Sequence, residues 1–172
     1  MNMNDPNLLQ SPRELGGKYL TFTVCGEQYG VEILRVREII GLLPITPLPH
    51  SPEHVLGVIN LRGRVIPVTD LRLRFGMPAA EPTRETCIIV VEVEKQDTTL
   101  TMGIVVDEVA EVSDIEGGST ADPPRFNTTV NAEFLLGTGM LDRTVVMLLD
   151  IARVVSRETS TDQDPLSPQQ AS

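Results

Sequence analysis

Two histidines and a glutamate near the middle of the chain come closest to a catalytic signature. His50-Ser51-Pro52-Glu53-His54 fits the H-x-x-E-H pattern of one group of zinc peptidases. In that chemistry both histidines lie on one face of a helix so that their imidazoles share a metal ion. Ser51 and Pro52 instead predict a helix that begins at these residues, which places His50 outside it. Solvated loop histidines are therefore expected, and a zinc hydrolase using His50, Glu53 and His54 is a weak alternative.

The other reactive residue types form no catalytic set. Gly137-Thr138-Gly139 lacks the third glycine and the following helix of a phosphate-binding loop, so these glycines are expected at a bulge or turn. The acidic pairs Asp107-Glu108 and Glu92/Glu94 lie on alternating, strand-like segments and are interpreted as solvated. The sequence predicts no catalytic residue, no metal and no cofactor.

Arg62 is the strongest candidate for a binding residue. It begins Arg62-Gly63-Arg64, which separates two apolar, β-branched runs, and Gly63 can adopt the positive φ of a tight hairpin turn. A turn arginine is usually just solvated, but it can also anchor a partner by bidentate hydrogen bonds. An internal repeat aligns Arg62 with Asp142, so the two copies differ in charge at the same corner.

An internal duplication accounts for the elements that must position these residues. The run from Gly57 to Leu71 aligns without a gap with the run from Gly137 to Ile151, at an offset of 80. The run from Tyr29 to Ile39 aligns with Met102 to Val112 at an offset of 73, which implies a seven-residue insertion between 113 and 136. Each copy supplies about five short strands at turn-marked spacing, which is typical of a small closed barrel.

The predicted fold class is all-β, with two five-stranded β-barrels related by the duplication and with short helical turns. The folded part is expected over 18–156, with the first barrel at about 18–80, the second at about 85–150, and possible strand exchange at the seam between them. Helical turns are expected near 51–56, 70–76 and 150–155. The polar segments 1–17 and 157–172 are predicted to be disordered tails. Because grooves between like domains often bind ligands, the seam is a candidate site.

Composition narrows the class of partner. The net charge of −10 and the absence of Trp argue against sequence-independent binding of nucleic acid. The charge is uneven, since residues 18–84 carry eight basic and six acidic side chains and residues 85–156 carry four and thirteen. The chain shows no secretion signal and no apolar run approaching about 18 residues, so a cytoplasmic protein without membrane insertion is expected. Cys25 and Cys87 lie in apolar, strand-like runs and are predicted to be buried reduced thiols.

These stretches resemble the CheW-type chemotaxis coupling proteins. The resemblance covers residues 18–156 and rests on the stretches 29–39, 57–72, 103–109 and 148–151, of which Asn60-Leu61-Arg62-Gly63 is highly specific. It implies that the two barrels are SH3-like. It also implies a non-catalytic adaptor that couples chemoreceptors, the methyl-accepting chemotaxis proteins, to the histidine kinase CheA. A nearer alternative is a CheW-like coupling protein of a related motility or second-messenger pathway.

The resemblance also implies which surfaces are used. Receptor-contact positions of the family fall on Val36, Glu38, Gly57 and Arg62, with Val105 as a further wall residue of a groove that would hold the helices of the receptor's cytoplasmic tip. The location implied is the cytoplasm, at membrane-associated receptor arrays.

A second surface would bind the kinase. The regulatory domain of CheA is itself CheW-like, so docking would be barrel to barrel. The apolar residues expected at that interface are Ile39 and Leu43, with Gly41 between them.

Overall fold

The computed structural model describes residues 17–117 and 132–155. Its strands are β1 (Gly17–Val24), β2 (Glu27–Glu32), β3 (Val36–Gly41), β4 (Val55–Leu61), β5 (Arg64–Asp70), β6 (Cys87–Lys95), β7 (Thr98–Val106), β8 (Glu108–Gly117), β9 (Leu135–Leu141) and β10 (Thr144–Leu149). Two 3₁₀ turns occupy Ile33–Arg35 and Ala132–Phe134, helix α1 is Leu71–Arg74, and residues 151–155 are helical. The predicted tails lie outside the described residues, apart from Gly17, as does most of the predicted insertion.

The ten strands form two five-stranded sheets. The first is a closed barrel in the order β1-β2-β10-β9-β8, and the second has the order β3-β6-β7-β5-β4. The all-β, two-unit fold class predicted from the duplication is therefore confirmed. The predicted division at the linker is wrong, however, because each sheet combines strands from both halves of the chain.

The exchange between the halves is reciprocal. By the repeat offsets, β1–β5 correspond to β6–β10, and each sheet contains the first two strands of one copy and the last three strands of the other. Each sheet is joined by one parallel pair: β2 with β10, where Gly30 lies opposite Leu148, and β5 with β7, where Val68 lies opposite Gly103. A Cβ at Gly103 would lie 2.8 Å from Ile88 Cγ2, so a glycine lets these strands pack closely. These long-range pairings leave no signal in local periodicity.

Apolar residues fill three cores. The largest cluster takes side chains from both sheets and contains a row of rings, Phe22, Tyr29, Phe75 and Phe134, with centroids 5.6–6.0 Å apart. Smaller clusters fill the interior of the second sheet and of the first. The seam between the sheets, predicted as a binding groove, is instead a packed core, because burying the apolar faces of both sheets is what joins them.

The duplicated strand ends lead into short helical turns. Asp70 Oδ1 accepts a hydrogen bond from the Arg72 amide at 2.9 Å and begins α1, and Asp150 precedes the helical residues 151–155 in the same way. The predicted turns at 70–76 and 150–155 are therefore present. The predicted helix at 51–56 is wrong: the Asp70 amide donates to the His54 carbonyl, and β4 begins at Val55. No helix within 17–117 and 132–155 is long and apolar enough to cross a bilayer.

Candidate functional site

The β4–β5 hairpin turn fixes the backbone of Arg62. Arg62 and Gly63 both have left-handed φ values, 52° and 87°, between the paired residues Leu61 and Arg64. A two-residue hairpin turn with positive φ at both central positions matches the twist of the strands it joins. The Asn60 side chain accepts a hydrogen bond from the Gly63 amide at 2.9 Å. The Asn-Leu-Arg-Gly stretch therefore encodes a rigid corner that carries an arginine.

Glu38 on β3 holds the Arg62 side chain. Nη2 of Arg62 lies 2.6 Å from both carboxylate oxygens of Glu38, and the two side chains are 65% and 32% exposed. β3 and β4 are the two outermost strands in the order of the second sheet, so this ion pair connects its two ends. The structure thus brings together two of the predicted receptor contacts that lie 24 residues apart.

Gly57 acts through the backbone. Its φ is 147°, and a Cβ there would lie 2.1 Å from the carbonyl oxygen of Thr46 and 2.8 Å from Pro47 Cα. The missing side chain allows Thr46 to exchange two backbone hydrogen bonds of 2.9 Å with Val58. Because Gly57 is buried, its predicted role as a direct receptor contact is replaced by a structural one.

Val105 is also a core residue. Its side chain is 2% exposed and packs among Ile59, Ile66 and Ile88 in the second sheet. It therefore offers no surface to a receptor helix. The error has a physical origin, because a valine in a β-branched strand reads alike whether it lines a groove or a core.

β3 carries the remaining predicted contacts on alternating faces. Val36 is half-buried against the large core, whereas Ile39 is 44% exposed and Gly41 is exposed. Leu43, just beyond the strand, is half-buried against the core of the second sheet. Of the three predicted kinase residues, the structure therefore places Ile39 and Gly41 on the surface and uses Leu43 mainly for packing.

Leu34 is an exposed apolar residue that sequence reasoning missed. It lies in the 3₁₀ turn between β2 and β3 with 93% of its surface exposed. It also lines a shallow pocket with Ile33, Glu32 and the start of β1. The repeat alignment carries a signal, since Leu34 corresponds to Asp107, a polar residue at the same point of the second copy.

Asp107 itself is not solvated as predicted. It accepts hydrogen bonds from Nη1 of Arg72 at 3.1 Å and from the Cys25 amide at 2.8 Å. Arg72 also binds Asp70 through Nε and Nη2, both at 3.0 Å, and the hydrogen bond to Asp70 raises the pKa of the Arg72 guanidinium. Cys25, predicted to be buried, is exposed at the β1–β2 turn, and desolvation and the Asp107 carboxylate raise the pKa of its thiol.

The histidines do not form the arrangement that a zinc peptidase needs. His50 has a φ of 61° in a loop, and residues 51–54 are not helical, so no helical face holds both imidazoles. Within 17–117 and 132–155, no cluster of three or more His, Cys, Asp or Glu side chains has metal-binding geometry.

Comparison with known proteins gives a consistent family. Residues 18–159 match the family described as CheW-like domain. The chemotaxis protein CheW of Klebsiella aerogenes is 34% identical over 144 residues, covering 84% of each chain, and that of Rhizobium meliloti is 35% identical over 143 residues, covering 83% of this chain and 90% of the relative. The crystal structure of the scaffolding protein TtCheW from Thermoanaerobacter tengcongensis aligns with a TM-score of 0.68 and 34% identity, over 78% of this chain and 89% of that one.

These matches support neither the zinc hydrolase nor the coupling protein of a related pathway. This chain belongs to the CheW-like family and is a non-catalytic coupling adaptor of chemotaxis.

Proposed function

We propose that this adaptor links the cytoplasmic tip of chemoreceptors to the regulatory domain of a CheA-type histidine kinase, in the cytoplasm at membrane-associated receptor arrays. The observation that carries the proposal is the Arg62 corner, a rigid turn that holds an exposed guanidinium within 2.6 Å of Glu38. The family membership supplies the class of partner.

The proposed receptor surface is the Arg62 corner with its surroundings. The ion pair uses Nη2 of Arg62, so Nε and Nη1 can donate to a carboxylate of the receptor. Val65, three residues on, is 68% exposed and supplies apolar contact beside the charge. Val36 and Gly57 support this surface from within: Val36 anchors β3, and Gly57 allows the 46–47 segment to lie beside β4.

The proposed kinase surface is the outer edge of the second sheet at β3. Ile39 and Gly41 lie exposed on this strand, and Leu34 and Leu42 continue the apolar surface at its two ends. Exposed outer strands are suited to docking another β-domain, and apolar side chains at such an edge favour burial by a partner. Leu43 supports the surface from its half-buried position.

The receptor proposal is tested by a pull-down of receptor signalling fragments and kinase with wild type, Arg62→Asp and Arg143→Asp. Arg143 is a matched control, because it lies in the equivalent turn between β9 and β10, with a φ of 68°, and loses the same charge. We expect Arg62→Asp to lose receptor and keep kinase, and Arg143→Asp to keep both. Equal loss of receptor in both variants, or a melting temperature of Arg62→Asp that falls with its binding, would contradict the proposal.

The kinase surface is tested with Leu34→Asp and Ile39→Asp. Both side chains are exposed, so each variant should fold as wild type does. We expect each to lose kinase and retain receptor. Val112→Asp is the control, because Val112 is an exposed valine on β8 of the other sheet. Retention of kinase by both β3-side variants would refute this surface.

A further inference from the structure

The chain passes between the two sheets at two equivalent crossovers. One is the 3₁₀ turn Ile33–Arg35, which leads from β2 in the first sheet to β3 in the second. The other is Asp107, which leads from β7 in the second sheet to β8 in the first. The repeat offset of 73 aligns Asp107 with Leu34, so the two crossovers are related by the duplication.

Polar contacts hold the Asp107 crossover to both sheets. On the side of the second sheet, Arg72 in α1 donates to Asp107 and also binds Asp70 at the end of β5. On the side of the first sheet, the Cys25 amide donates to Asp107, and the Asp107 amide donates to the Thr23 carbonyl at 3.0 Å. The Arg72 and Asp70 side chains are each 5% exposed, so water screens this network weakly.

The other crossover has no such network. The repeat offset of 80 places Ala152 where the first copy has Arg72, and Leu34 stands where the second copy has Asp107. The local ion pair of this turn joins Arg35 to Glu32 at 3.7 Å, with both side chains about two-fifths exposed. An exposed pair three residues apart orders its own turn and does not connect the two sheets.

We propose that Arg72 and Asp107 are positioning residues that fix the angle between the two sheets at one crossover, so that the receptor and kinase surfaces are presented together in one geometry. Buried, fully hydrogen-bonded ion pairs are directional, and their strength lies in specifying one arrangement. The apolar core between the sheets holds them together without that directionality. The part of this inference that concerns coupling rests on the function proposed above.

The fixed joint is tested by amide hydrogen exchange on the intact protein. In wild type, the amides of Cys25 and Asp107 should exchange at least tenfold more slowly, relative to their intrinsic rates, than those of the Ile33–Arg35 turn. Asp107→Leu gives this crossover the residue of the other one and leaves Arg72 paired with Asp70. We expect exchange at residues 25 and 107 to accelerate at least tenfold in this variant, with the turn unchanged. Equal rates at the two crossovers in wild type would overturn the proposal.

The consequence for coupling is tested by comparing binary and ternary complexes. We expect Asp107→Leu to bind receptor fragment alone and kinase alone within twofold of wild type, and to form at least fivefold less of the complex containing both. Arg153→Leu is the control, because Arg153 forms the exposed pair with Asp150 in the equivalent helical turn and bridges no crossover. We expect this control to form as much ternary complex as wild type does.

The two assays separate the possible failures. Binary affinities that fall together with the ternary complex would reduce Arg72 and Asp107 to a general role in stability and refute the positioning role. An unchanged ternary complex with accelerated exchange would refute it as well. If wild type bound neither partner, the function proposed above would fail, while hydrogen exchange would still decide whether this joint is the fixed one.

Discussion

Gly57→Ala offers a sharp test of how this fold supports its surface. The added Cβ would lie 2.1 Å from the Thr46 carbonyl oxygen and 2.6 Å from its carbon, so the 46–47 segment must move away from β4. That movement breaks the two backbone hydrogen bonds between Thr46 and Val58. In addition, a φ of 147° is one that side-chain-bearing residues rarely adopt.

The structure sets the expected magnitude. Two lost backbone hydrogen bonds cost about 1 kcal/mol each, and the backbone strain adds about 1–3 kcal/mol. The free energy of unfolding should therefore fall by about 3–5 kcal/mol, out of the roughly 5–15 kcal/mol usual for a domain. At about 2–4 °C per kcal/mol for a chain of this size, the melting temperature should fall by about 10 °C.

Urea unfolding of Gly57→Ala and Gly41→Ala measures the effect. A Cβ at Gly41 meets nothing within 4 Å, so this exposed control should differ from wild type by less than about 0.5 kcal/mol. Receptor binding by Gly57→Ala should weaken together with stability. A variant as stable as wild type that still loses the receptor would refute the reasoning and make Gly57 a direct contact.

Three further predictions concern the ion pair, the second core and the response to pH. A double-mutant cycle on Arg62 and Glu38 should give a coupling energy below about 1 kcal/mol, since the pair is largely solvated; a larger value, measured by urea unfolding, would make the pair structural. Val105→Ala should lower the free energy of unfolding by about 2 kcal/mol, because it removes two buried carbon groups, and an unchanged urea midpoint would contradict its placement in the core. Burial, followed by the Glu27 carboxylate, raises the pKa of Tyr29 above its usual 10.0, so the unfolded state binds fewer protons at alkaline pH and stability should fall as pH rises above about 10. Tyr29→Phe should show a smaller fall between pH 9 and 11 in thermal melts, and an identical fall would show that another group is responsible.

The local features of the fold were legible in the sequence because local physical rules set them. Gly63 was expected at positive φ, Asp70 at the start of a helical turn, and the second part of 34–40 as a strand, and all three are present. Turn and cap chemistry depends on residues two or three apart, so one sequence reveals it. Serine and proline at 51–52 misled in the same local way, because the pairing of His54 with Asp70 overrides their preference for a helix start.

The sequence by itself determined the class of the fold, the duplication and the arginine-bearing corner, since alternation, spacing and turn residues are local or repeat along the chain. Only the tertiary structure decided that the halves exchange strands, that the seam is a core, and that Arg62 meets Glu38. It also decided that Val105 and Gly57 lie inside, and that Asp107 is held by Arg72. Each of these depends on contacts between residues distant in sequence, and a valine, a glycine or an aspartate carries no mark of which distant group it will meet.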